Sequence, residues 1–147
     1  MIARVLWEIL TMLRSLADSF ARAGYLTVAP DFFNGTPAPA DLNDPKFNAT
    51  AFLNSHGPNV ADPIIATAIE YIRSVPGIKK IATTGYCYGG RYAFRTVAKG
   101  KGADVAFAAH PSLLEDAEIL AINGPAAVAA AGKFMCSLVN KLLTTRI

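Results

Sequence analysis

A cysteine with glycine two residues away on either side, Gly85-Tyr86-Cys87-Tyr88-Gly89-Gly90, lies between the apolar run 78–84 and the helix-compatible segment 91–98. That is the sequence form of a nucleophile elbow, with cysteine where serine is usual. A nucleophile at a tight strand-to-helix turn takes a strained backbone. Its neighbours two residues before and after must be small for strand and helix to approach each other. Gly85 and Gly89 meet that demand. At the start of the following helix, open N–H groups and the positive dipole end favour thiolate over thiol, and the Tyr88 N–H is placed to donate to an oxyanion. The competing reading is a buried structural cysteine in an ordinary glycine-rich turn. The strand before and the helix after favour the nucleophile.

A thiolate that attacks an ester must later be released by activated water, and an imidazole normally carries both proton steps. His110 is the candidate. It follows the β-prone run 103–109, and adjacent parallel strands lie about 4.8 Å apart, so side chains from neighbouring carboxyl ends can meet. The alternative is that His110 only supports the Pro111-Ser112 turn. His56 sits in a long connection and is the weaker choice. Arg91, in the first turn after the elbow, either grips a substrate carboxylate through two N–H groups or faces solvent. Tyr86, and Tyr88 beside it, either line an apolar substrate pocket or pack. Asp31, at a strand's carboxyl end, either orients a base or caps the loop that follows, and Cys136, among Phe134, Met135, Leu138 and Val139, reads as core.

These residues need elements to hold them. Residues 2–23 carry Ile2, Val5, Leu6, Ile9, Leu13, Leu16 and Phe20 at helical steps and close at Gly24. Arg4, Glu8 and Arg14 interrupt any signal-peptide core, and no small-residue cleavage site follows. Tyr25–Ala29 predicts a first strand stopped by Pro30. The proline- and asparagine-rich stretch 31–59 predicts a long excursion with at most a short helical turn. Val60–Ser74 predicts a helix with Asp62-Pro63 as cap and first residue. Then come a strand at 78–84, the elbow, a helix over 91–99, a strand at 103–109, a helix over 113–121 and a buried strand at 126–131. Such alternation predicts a mainly parallel sheet flanked by helices, with active groups at the carboxyl ends of the strands.

The 147 residues are 52% hydrophobic and 17% charged, enough for one domain with its own core. The formal charge of +3 is scattered, so no nucleic-acid partner is expected. No stretch reaches membrane-spanning length. Two cysteines and two histidines without ligand spacing predict no metal, no disulfide framework and a reducing, cytoplasmic setting.

Four segments together resemble the dienelactone hydrolase family, its fungal members above all. They are the run from Leu16 through Ala29-Pro-Asp-Phe-Phe33, His56-Gly57-Pro58, Thr84-Gly-Tyr-Cys-Tyr-Gly-Gly-Arg-Tyr92 and Ala109-His-Pro-Ser112. The resemblance covers roughly 16–131 and implies an α/β-hydrolase fold, a Cys-His-Asp triad with Cys87 as nucleophile, and hydrolysis of lactones or carboxylic esters without cofactor. It also implies strands before the first helix, a second oxyanion donor, and a later acid and histidine, none of which has a counterpart here. The chain is therefore expected to be one incomplete domain over 1–147, truncated at both ends, with 133–147 a divergent tail. Turnover of the small-molecule substrate is expected to be impaired. The alternative is a non-catalytic small-molecule-binding or interaction protein that keeps the middle of the fold. Either way, sheet edges left open by lost strands predict self-association.

Overall fold

Residues 13–33, 35–36, 38–39, 41 and 44–130 are described by the computed structural model, and the chain divides into two units, Met1–Ile72 and Arg73–Ile147. The tail 133–147, with Cys136, and the start of the expected N-terminal helix lie outside the described residues.

In the first unit, helix α1 includes residues 13–22. It closes as its glycine suggests. Gly24 takes φ of 92°, and the Tyr25 N–H turns back to the Phe20 carbonyl at 3.2 Å, a left-handed helix stop. Residues 25–30 then form no ladder, so the expected strand Tyr25–Ala29 is absent. β-propensity reflects fit to a paired, half-covered surface. No described strand pairs with this run, and Tyr25 and Leu26 remain exposed. Asp31 does cap its loop, accepting the N–H groups of Phe33 at 2.9 Å and Gly35 at 2.8 Å.

The long excursion contains a full helix, α2 (Ala49–Ser55), begun by Asn48, whose Oδ1 accepts the Ala51 N–H at 2.9 Å. Helix α3 (Pro58–Ser74) starts five residues before Pro63. Pro58, with no N–H to satisfy, fits the first turn, and the Gly57 carbonyl takes the N–H groups of Val60 and Ala61. Pro63 therefore lies inside the helix, where it removes one internal hydrogen bond. Ala61, Ile65 and Ile69 repeat at four-residue steps and form its buried stripe.

The second unit alternates β1 (Ala82–Tyr86), α4 (Tyr88–Thr96), β2 (Val105–Ala109), α5 (Asp116–Leu120) and β3 (Ala126–Ala129). The strands are parallel in the order β1-β2-β3, with Tyr86 opposite Ala109 and Ala109 opposite Ala129. Their carboxyl ends therefore finish level. Phe94 of α4 lies fully buried with Val97, Ala106, Ala108 and Ile122. Burying such a ring stabilises by about 1.5–3 kcal/mol, and the alanines of β2 leave room for it. Thr83 of β1 and Thr96 of α4 join hydroxyls at 2.8 Å beside this core. The other sheet face is open, with Tyr86, Val105 and Phe107 each 38% exposed.

Helix α4 lies three residues earlier than the predicted 91–99, and helix α5 is shorter than the predicted 113–121. Helix α4 starts at Tyr88 and ends at Thr96, since Ala98 leaves to bridge Ile122. Helix α5 begins only after Glu115, whose carboxylate and that of Glu118 cap each other's backbone N–H groups.

Candidate active site

Strand β1 leads straight into Cys87, which caps α4 and holds φ of 50° and ψ of −119°. A non-glycine residue there is strained by about 1–3 kcal/mol and persists only when its surroundings dictate it. Three backbone hydrogen bonds do so. The Cys87 N–H donates to the Ala109 carbonyl at 3.0 Å, and the Cys87 carbonyl accepts the N–H groups of Gly90 and Ser112, each at 3.0 Å. The thiol is exposed.

The close approach falls on Gly85, as the spacing suggests, and on Gly90 in place of Gly89. A Cβ on Gly85 would lie 2.1 Å from the Gly89 carbonyl oxygen, and one on Gly90 would lie 2.9 Å from Pro111 Cβ, whereas a Cβ on Gly89 meets nothing within 4 Å. Gly85 is small because α4's backbone crosses it. Gly90 is small because Pro111 does. Gly89, expected to be small for packing, is not so constrained.

His110 follows β2 as Cys87 follows β1, and its backbone N–H donates to the Ala129 carbonyl at 2.8 Å. The residue is exposed, with φ of 37°. Among the described residues no hydrogen bond joins its ring to the sulfur. The side chain that does reach Cys87 Sγ among the described residues is Ser112, with Oγ at 3.6 Å, a contact that the motif Ala109-His-Pro-Ser112 does not announce.

Tyr88 is the first residue of α4, so its N–H belongs to the helix's positive end. Its phenol meets the buried Tyr92 hydroxyl at 2.8 Å. Burial, then the Tyr88 hydroxyl, pushes the Tyr92 phenol well above its ordinary range. Tyr86 ends β1 and stays partly open.

Arg91 fits neither sequence reading, substrate clamp or solvent-facing side chain. It is buried, with Nε 2.9 and 3.0 Å from the two Glu118 oxygens and Nη2 2.7 Å from Glu115 Oε1. Burial opposes its charge, yet Glu118 and Glu115 outweigh that and hold its pKa above the ordinary value. Arg95 also binds Glu118. The two-pronged grip lies inside the protein because the partners sit 24 and 27 residues further along the chain, beyond the reach of local pattern.

His56 is buried in the first unit. Its Nδ1 lies 2.8 Å from the Phe52 carbonyl and its Nε2 3.1 Å from Thr36 Oγ1, with the Phe33 and Phe52 rings against it. It fastens the loop after Asp31 to the end of α2. No described group of three or more His, Cys, Asp or Glu side chains converges as metal ligands would, and no described helix is long and apolar enough to cross a membrane.

An exposed cysteine at a strained strand-to-helix turn, level with the ends of a parallel sheet, is the arrangement of a hydrolase elbow. The sequence matches the dienelactone hydrolase family over residues 7–134. The chain belongs to that family. Its partial α/β-hydrolase fold, a parallel sheet with helices, follows from the same match. Among curated relatives, Hydrolase pyvD of Aspergillus violaceofuscus is 41% identical over 118 residues, covering 80% of this chain and 47% of its own. Hydrolase tropI of Talaromyces stipitatus is 39% identical over 127 residues, covering 80% and 49%. Endo-1,3;1,4-beta-D-glucanase of Zea mays is 37% identical over 98 residues, covering 64% and 28%. This dienelactone hydrolase family chain thus spans about half the length of the two fungal relatives.

Proposed function

We propose that this chain hydrolyses small-molecule lactones or carboxylic esters through Cys87. The observation that carries the reading is the exposed thiol at φ of 50°, in a member of a family described as dienelactone hydrolases. Cys87 Sγ attacks the carbonyl carbon and forms a C–S bond. The Tyr88 N–H donates to the oxyanion, and collapse breaks the C–O bond to leave a thioester. Water then cleaves the thioester and restores the thiol. His110, at the neighbouring strand end, is the imidazole assigned to both proton transfers. Turnover is slow in this reading, because among the described residues no carboxylate–imidazole pair meets the sulfur. Tyr86 borders the acyl group, and a reducing compartment keeps the thiol available.

The family match runs across both units, which supports reading them as parts of a single hydrolase-family domain. The outer edges of β1 and β3 have no described strand beside them, which supports self-association; the sedimentation of the purified chain tests it. Hydrolysis of an activated aryl ester by wild type, Cys87→Ala and His110→Ala tests the activity. The expected order is wild type above H110A, with C87A at background. Equal rates in all three would refute catalysis and leave the alternative, a non-catalytic small-molecule-binding protein.

A further inference from the structure

A hydroxyl reaches the one sulfur that the proposed chemistry needs. Ser112 Oγ stands 3.6 Å from Cys87 Sγ, and the Ser112 backbone N–H separately holds the Cys87 carbonyl at 3.0 Å. We propose that Ser112 is a positioning residue for the Cys87 thiolate. The inference rests on the reading of Cys87 as nucleophile.

A serine hydroxyl both accepts and donates. It accepts from the thiol, and on ionisation it rotates to donate to the thiolate, so the sulfur keeps one place in both states. A hydrogen bond to the charged form favours that form. Ser112 offers it without ordering a mobile chain, since its backbone is fixed on both sides. His110 and Leu113 hold φ of 37° and 57°, Pro111 packs against Gly90, and Glu115, three residues on, is bound by Arg91 at 2.7 Å. The other titratable or charged groups on the surrounding elements are Tyr86 before the cysteine, Tyr88 after it, His110 at the end of β2, and Arg91, Tyr92 and Arg95 on α4. Arg91 and Arg95 are bound by Glu118, and Tyr92 by Tyr88.

Alanine at 112 keeps the backbone N–H and removes only the hydroxyl, so it separates the proposed role from turn formation. The test is the rate of iodoacetamide labelling of Cys87 against pH, read by peptide mass so that Cys136 does not contribute. It is run on the full chain as wild type, Ser112→Ala and Ser112→Thr. The labelling midpoint of S112A is expected about one pH unit above wild type, a roughly tenfold loss of thiolate at lower pH, while S112T keeps the wild-type profile. An S112A profile that overlays wild type would overturn the proposal. So would an S112T profile displaced as far as that of S112A, since packing rather than the hydroxyl would then be responsible. Labelling needs no turnover, so the two readings fail separately: background hydrolysis with the S112A shift intact removes only the proposed activity.

Discussion

Exchanging Gly85 for alanine adds one methyl group where α4 crosses β1. The new Cβ would stand 2.1 Å from the Gly89 carbonyl oxygen, 2.4 Å from its carbon and 2.7 Å from the Gly90 nitrogen. All three are backbone atoms, so no side chain can rotate away, and the first turn of α4 must retreat by about 1 Å to restore ordinary contact. Forced overpacking of this kind costs about 1–3 kcal/mol, occasionally more. The same change at Gly89 enters open space on a helix, where alanine replaces the more flexible glycine and gains about 0.5–1 kcal/mol. The two variants are therefore expected to differ by roughly 1.5–4 kcal/mol, with Gly85→Ala the weaker. Urea unfolding followed by far-ultraviolet circular dichroism measures both. A Gly85→Ala protein within about 0.5 kcal/mol of wild type, or one more stable than Gly89→Ala, would refute the crossing as the reason for glycine.

Glu118→Ala leaves the buried Arg91 without its main acid and also strips Arg95, so a loss of about 3–5 kcal/mol is expected in the same unfolding assay. Glu115→Ala, at a side chain 68% exposed, loses its bond to Arg91 and its half of the α5 capping box and is expected to cost about 1–2 kcal/mol; a loss equal to that of Glu118→Ala would contradict the burial argument. Asp104 accepts the Ile81 N–H and binds Lys80 and Arg73, which holds its carboxyl well below the usual carboxylate range. A depressed folded value means that its contribution is present above the unfolded pKa of about 4 and lost as the pH falls through the folded one. Thermal midpoints from pH 7 downward should thus fall less steeply on the acid side for Asp104→Asn than for wild type, and parallel curves would exclude the residue as a cause.

The elbow was legible because its signal is local. A β-prone run, Gly85-x-Cys87-x-Gly89 and a helical segment specify a strand, a turn and a helix within about fifteen residues, and all three are present with Cys87 at the bend. The parallel pairing was legible too, since it follows from the alternation of strands and helices. Contacts between distant segments were not. Pro111 against Gly90, Ser112 against Cys87, and Arg91 between Glu115 and Glu118 join α4 or its cap to the turn after β2 and to α5, and periodicity carries no trace of them. Local readings also failed where two signals competed. Asp62-Pro63 resembles a helix start, but Pro58 provides an earlier one, and Tyr25–Ala29 has strand composition without a described strand beside it.

The carbonyl of Cys87 is shared by two amides and its own amide is held by β2, while its sulfur stands open. Backbone protection and chemical accessibility therefore part company at a single residue. The amides of Cys87, Gly90 and Ser112 would exchange with deuterium only when the surrounding structure loosens, whereas a small electrophile needs no such opening. Reaction of a covalent reagent at this position therefore does not wait on the protein's breathing.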